Sequence, residues 1–247
     1  METAPILKIN QLQKCFGGLT AVNNVDMEIR EGELIGLIGA NGAGKTTLFN
    51  MIAGSFKPSS GSICFMGKDI TGFPAHKVCH LGIGRTYQIV RPFASLSVLE
   101  NTMVGAMIQD PNVGRARKKA EEILEFLGLY HRKDACGNEL NLPELKRMEV
   151  ARALATDPKL LLLDEVMAGL TPADSEVVID LVHKINDSGI TVIIIEHVMK
   201  AVMSLSQRIY VLNQGRLIAQ GTPKEVSENA EVIKSYLGEK ARKEKGA

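Results

Sequence analysis

The sequence predicts an α/β fold: a parallel-sheet core, antiparallel strands beside it, and a helical segment inserted between core strands. Three observations predict it. The run ELIGLIGANGAGKTTLFNMIAG passes from a short apolar strand through a glycine-rich turn into a helix. Two further unbroken apolar runs, Leu160 to Leu163 and Val192 to Ile195, have the length and bounded ends of strands buried on both faces. Residues 97 to 155, by contrast, hold helical patterns and no convincing strand.

In chain order, residues 5 to 30 alternate in polarity and carry β-branched side chains, as does GSICFMGKDI at 61 to 70, which reads as antiparallel strands. The glycine-rich turn opens a helix near Lys45. His76, Cys79 and His80 suggest a metal site, but no further ligand cluster accompanies them, so the stretch reads as an amphipathic helix. ARKKAEEILEFLGL is a second amphipathic helix, its charge run a solvated face. Between the last two buried strands, TPADSEVVIDLVHKINDSG places Val177, Val178, Leu181, Val182 and Ile185 at helical spacing. Thr171 with Asp174 forms a capping box there, Pro172 takes the first helical position and Gly189 ends the helix. This is a β-α-β unit with a right-handed crossover.

No stretch is rich enough in Pro, Gly or Ser to mark a linker, and no repeat is present. We therefore expect one domain, with core residues at about 1–88 and 156–222, a helical subdomain at about 89–155 and a helical tail at 223–247. The basic end EKARKEKGA reads as frayed and solvated.

With 247 residues, 45% of them apolar, the chain can build a core without staples. Its 29 basic and 28 acidic side chains nearly cancel, which argues against a nucleic-acid partner. Cys15, Cys64, Cys79 and Cys136 are scattered without a CxxC, the usage of a reducing compartment. METAPILKINQ lacks a signal-peptide pattern and no run approaches the roughly 18 apolar residues of a membrane span, so a soluble chain is expected.

The chemistry concentrates in two motifs. Residues 39 to 46, GANGAGKT, fit G-x-x-x-x-G-K-[ST] in the strand-to-helix context this motif requires. Small residues let backbone amides close on phosphate oxygens at a helix N-terminus, Lys45 reaches the outer phosphates, and the Thr46 hydroxyl is offered to magnesium. The cofactor-binding set is Gly39, Asn41, Gly42, Ala43, Gly44, Lys45, Thr46 and Thr47. The second motif is LLLLDE: Asp164, at the end of a buried strand, can hold the metal, and Glu165 can orient or deprotonate an attacking water.

At this point the chain resembles the nucleotide-binding subunit of an ATP-binding cassette (ABC) transporter over nearly its whole length. The resemblance implies a P-loop NTPase (RecA-like) core with an antiparallel β subdomain and an inserted helical subdomain, and it implies ATP and Mg2+ as cofactors. It assigns Phe16, in KCFGGL, to stacking on adenine, and Gln88, in GRTYQIV, to reaching the metal or the attacking water. His197, after IIIE, matches the switch histidine at the γ-phosphate. Catalysis is thus expected of Glu165, His197 and Gln88, and metal binding of Thr46, Gln88 and Asp164.

The family's cassettes pair head to tail, each signature LSGGQ capping the ATP of the other subunit. Here Leu140, Asn141, Leu142, Pro143 and Glu144 stand in its place. Asn141 can still offer a polar side chain to the partner's ATP. Pro143 has no N–H and the second glycine is lost, which would cost on the order of 2 to 4 kcal/mol where those donors meet transition-state charge. Proline suits the first turn of a helix, so folding need not suffer. Val166 and Thr171 are smaller departures, where the family usually has proline and aspartate.

FGGLTAVNNV, TLFNMIAG, GRTYQIVRPF, IEHVMKAVM and GTPKEVSENAEVIKSYLGE are most similar to the larger ATPase subunit of bacterial branched-chain amino acid importers. This implies an ATPase on the cytoplasmic face of the inner membrane, partnered by a second cassette in a heterodimer (or a homodimer), two permease chains docking near Arg91, Pro92 and Phe93, and indirectly a periplasmic binding protein. A lipopolysaccharide-export ATPase and a regulatory cassette that hydrolyses little are the alternatives.

Overall fold

A computed structural model of the chain describes residues 4–197 and 199–235, the Lys200 side chain apart. In chain order the elements are β1 (Leu7–Phe16), β2 (Leu19–Ile29), β3 (Leu34–Gly39), α1 (Lys45–Ile52), β4 (Ser60–Phe65), β5 (Lys68–Asp69), α2 (Ala75–His80), β6 (Ile83–Arg85), α3 (Val98–Ala106), α4 (Val113–Phe126), α5 (Leu142–Leu154), β7 (Leu160–Asp164), α6 (Pro172–Asp187), β8 (Thr191–Ile195), α7 (Met199–Leu205), β9 (Arg208–Asn213), β10 (Arg216–Gly221) and α8 (Pro223–Glu228). The α/β class is the expected one. Two compact units divide the chain, Met1–Ala75 with Ile193–Ala247, and His76–Val192.

The first unit holds an antiparallel sheet in the order β2-β1-β4-β5 and a second set in the order β10-β9-β3-β8. The antiparallel hairpins follow from their turn residues. Met66 and Gly67 join β4 to β5, and Gln214 and Gly215 join β9 to β10, all four with positive φ, as a two-residue type I′ turn demands. β3 is buried at every position and runs parallel to β9. Gly36 admits α7 against β3, since a Cβ there would meet Val202 Cγ1 at 2.5 Å and Ser206 Oγ at 2.6 Å. Ile38, Val202, Ile209, Val211, Val226 and Val232 form one apolar cluster, each such side chain contributing about 1.5–3 kcal/mol on full burial.

In the second unit β6 runs parallel to β7, whose five residues are all buried. The sequence reading missed β6, three residues long, and also β9 and β10. Helices α3, α4 and α5 pack through small residues: Ala106, Ala116 and Ala155 cluster, and a Cβ on Gly105 would meet the Arg152 carbonyl at 2.3 Å. Along α4, Ala116, Ala120 and Leu124 are buried at four-residue spacing, and Arg117–Glu121 and Lys118–Glu122 pair across the exposed face. Residues 97–155 contain no strand, only an isolated bridge between Ser97 and Cys136. We propose α3 to α5 as the helical subdomain.

Two caps deserve comparison. At α6 the Thr171 hydroxyl accepts from the Asp174 amide but also donates to the Asp174 carboxylate at 2.6 Å. That corrects the expected capping box: the acid takes the hydroxyl proton instead of the Thr171 amide. At α5 the full box forms. Asn141 Oδ1 accepts from the Glu144 amide at 2.9 Å, and Glu144 Oε2 accepts from the Asn141 amide at 3.0 Å. Pro143 stands in the first turn, where its missing N–H breaks no helical bond. α8 and helical residues 230–235 fall in the expected tail, while EKARKEKGA and its neighbours from 236 on lie outside the described residues.

Replacing Asn141 by alanine is expected to cost about 1 kcal/mol in urea unfolding, and replacing it by serine much less, because serine restores the acceptor.

Candidate functional site

The glycine-rich turn belongs to the first unit. β3 ends at Gly39, and α1 starts at Lys45 after Gly44, whose φ of 104° no L side chain adopts comfortably. The turn is braced on two sides. The Gly215 amide donates to the Ala43 carbonyl at 2.9 Å, and a Cβ on Gly39 would lie 2.2 Å from the Leu212 carbonyl oxygen. On the other side, a Cβ on Gly44 would lie 2.4 Å from the Ala21 carbonyl oxygen. These glycines are therefore fixed by close backbone approach from β2 and from the β9–β10 hairpin.

The arrangement fits a phosphate-bearing anion. No side chain caps α1 and no acidic residue sits in its first turn, so nothing of the helix itself competes for the positive end. Lys45 is 5% exposed and its ammonium donates to the Gly39 and Ala40 carbonyls at 2.7 and 3.0 Å, close beside the loop. Asn41, Gly42 and Thr46 are exposed, Thr47 is half-buried and Ala43 is buried.

Phe16 stands at the tip of the β1–β2 hairpin, with 42% of its surface exposed. Phe56 meets it edge to face at 5.5 Å, and the Lys14 ammonium lies 5.0 Å from its ring centre while donating to the Lys57 carbonyl. The ring is thus fixed without being buried. His197 is exposed on the bend that follows β8 and the buried Glu196.

In the second unit the fold brings together residues far apart in sequence. Gln88 Nε2 donates to Glu165 Oε2 at 2.7 Å. Arg85 Nη2 donates to Asp164 Oδ2 at 3.3 Å, both side chains nearly inaccessible, and the Arg85 guanidinium stacks 4.7 Å from the Tyr87 ring centre. Thr86 Oγ1 accepts from the Asp164 amide at 3.0 Å. Glu165 has φ of 53°, a left-handed conformation that costs a non-glycine residue about 1–2 kcal/mol. The carboxylates of Asp164, which ends a buried strand, and of Glu165, on the left-handed residue after it, are hard oxygen ligands of the kind a magnesium-type cation takes.

Asn141 is exposed, but its Oδ1 is committed to its own helix cap, which leaves Nδ2 as the outward donor. Arg132 pairs with the other oxygen of Glu144 at 3.4 Å and anchors that turn.

Two residues escaped the sequence reading altogether. Lys146, 3% exposed, donates to the carbonyls of Gln88 at 3.3 Å and Glu165 at 3.0 Å. Glu149, 2% exposed, accepts from the Tyr87 amide at 2.8 Å. Burial pushes the Glu149 carboxyl above the usual carboxylate range, against the Tyr87 amide and the charges of Lys146 and Arg152, which pull it down. In sequence, Lys and Glu three apart on a helix read as a solvated pair.

Comparison with known proteins adds the following. The family model for ABC transporters matches residues 22–168, and that for branched-chain amino acid ATP-binding cassette transporters matches residues 216–242. The chain is 40% identical to the high-affinity branched-chain amino acid transport ATP-binding protein LivG of Salmonella typhimurium, over 95% of this chain and 98% of that one. It is 37% identical to the lipopolysaccharide export system ATP-binding protein LptB of Escherichia coli, over 96% and 98%. The ADP conformation of MJ1267, a cassette of an ABC transporter, superposes with a TM-score of 0.86 at 34% identity, covering 96% of this chain and all (100%) of that one.

The two loop glycines should respond differently to alanine. Gly42 has positive φ but open space around it, so Gly42→Ala is expected to cost about 1 kcal/mol of conformational strain in thermal unfolding. Gly44→Ala adds the Ala21 collision and should cost clearly more; equal losses would show that the bracing by β2 is unimportant.

Proposed function

Because the chain belongs to the ABC transporter family of ATP-binding cassettes, we propose that it is the ATP-hydrolysing subunit of a branched-chain amino acid importer. The observation that carries the hydrolytic part is the Gln88–Glu165 hydrogen bond just past β7, a side-chain amide held on the carboxylate of a residue with left-handed backbone. The family model that matches residues 216–242 is that of branched-chain amino acid cassettes, which favours amino acid import over lipopolysaccharide export.

Bound ATP supplies the phosphoanhydride bond and Mg2+ the neutralising charge. Lys45 and the amides of residues 39–47 hold the phosphates, and Phe16 offers its face to adenine. Asp164 and Thr46 would supply oxygens to a bound metal, and Gln88 would be a further ligand. With nucleotide bound, Glu165 would orient the water and take its proton, and His197 and Gln88 would contact the γ-phosphate and water.

The second cassette is a distinct chain on this reading. Leu142 and Pro143 present one amide fewer than a glycine pair, and Asn141 has spent its acceptor on the helix cap. A site capped by LNLPE is the slow one, whereas this chain's own nucleotide is capped by the partner. The exposed Tyr87, Ile89 and Phe93, beside Arg91 and Pro92, form the apolar surface for the permeases. No helix among the described residues is long and apolar enough to cross a membrane, so permease docking is what would hold the chain at the inner membrane's cytoplasmic face.

Glu165→Gln is expected to lower steady-state phosphate release roughly a hundredfold or more while Mg-ATP binding persists; unchanged release would instead favour a regulatory cassette. Single-turnover hydrolysis resolved for each site of the reconstituted heterodimer should be faster at this chain's Lys45 site, and equal rates would rule out the asymmetry.

A further inference from the structure

We propose that Lys146 is a positioning residue for hydrolysis, tying the main chain of Glu165 to that of Gln88, with Glu149 and Arg152 completing a grip of α5 on the segment 87–91. The proposal rests on the roles given above to Gln88 and Glu165.

Residues 146, 149 and 152 follow one another at three-residue spacing, which puts them on one side of α5. Each meets main chain of the same segment: Lys146 Nζ donates to the Gln88 carbonyl at 3.3 Å, Glu149 Oε1 accepts from the Tyr87 amide at 2.8 Å, and Arg152 Nη1 donates to the Arg91 carbonyl at 3.1 Å. Arg152 also lies over the Phe93 ring, 5.7 Å from its centre. Lys146 alone makes a second main-chain bond, to the Glu165 carbonyl at 3.0 Å. One ammonium therefore holds both partners of the Gln88–Glu165 pair by their backbones.

Stability does not call for this arrangement. Lys146 and Glu149 are almost wholly buried, and Glu149 Oε2 has no hydrogen-bond partner among the described residues. Apolar side chains of similar volume would cost the fold less than buried charges do. What the charges supply is geometry. Glu165 sits in a left-handed conformation, which persists only where the surroundings over-determine it, and Lys146 grips the carbonyl of that residue. Without the ammonium, Glu165 can relax and Gln88 can drift from it. Phosphate-gripping residues such as Lys45 stay as they are, so turnover suffers and nucleotide affinity does not.

The test uses the assembled transporter with permeases, partner cassette and binding protein. Lys146→Met keeps the length of the stem and removes the charge. It is expected to lower kcat about ten- to a hundredfold with KM for ATP changed less than about threefold. Lys146→Arg should recover part of that loss, and hydrogen exchange at residues 86–91 should speed up in Lys146→Met. A lowered melting temperature with wild-type kcat, or a raised KM with wild-type kcat, overturns the proposal. Glu165→Gln is measured alongside: if it too leaves turnover unchanged, the reading of the site has failed, whereas its inactivity beside a fully active Lys146→Met condemns the positioning role alone. Should Lys146→Met not assemble, Glu149→Gln, which keeps an acceptor for the Tyr87 amide, is expected to retain more turnover than Glu149→Ala; equal kcat for the two overturns the grip.

Discussion

A polyphosphate carries dense negative charge, and a protein can meet it without burying many side chains only by turning backbone amides inward at the start of a helix. The first unit is organised by that requirement. β3 delivers the chain to Gly39, α1 starts uncapped after Gly44, and Lys45 folds its ammonium back beside the loop. The loop holds its shape because carbonyl oxygens of Ala21 and Leu212 lie where a Cβ of Gly44 or Gly39 would be. Its glycines are therefore demanded by neighbours far away in sequence as much as by the ligand.

The second unit answers a different requirement, that of holding two carboxylates and an amide in one geometry. Asp164 ends a strand that is buried on both faces, which fixes its backbone, and Glu165 follows it in a left-handed conformation. Arg85, Thr86 and Gln88, from a single short segment, then fasten onto them. The same segment leaves Tyr87, Ile89 and Phe93 exposed, so the stretch that touches the carboxylates also carries the surface proposed for the permeases. Few residues separate the two, which makes mechanical coupling short.

On the proposed reading, the first turn of α5 gives up part of one role while the helix keeps another. Pro143 forgoes one amide of a glycine pair, yet proline in the first turn and the Asn141–Glu144 box start the helix soundly. The helix then carries Lys146, Glu149 and Arg152 to the segment 87–91. The proline in its first turn leaves that grip in place.

By itself the sequence determined the glycine-rich loop, the three buried strands, the amphipathic helices and the carboxylates after LLLL, because each is written in local spacing and in side chains whose chemistry is unmistakable. β9 and β10 carried a weaker signal, and three-residue β6 almost none, since so short a strand is defined by its partner β7. Only the tertiary structure decided that Gln88 donates to Glu165, that Asn141 spends its acceptor on its own cap, and that Lys146 and Glu149 are buried. The physical reason is the same in each case. Burial and hydrogen-bond partnership are properties of neighbours brought in by the fold, and a charged pair on a helix looks identical in sequence whether water or another backbone receives it.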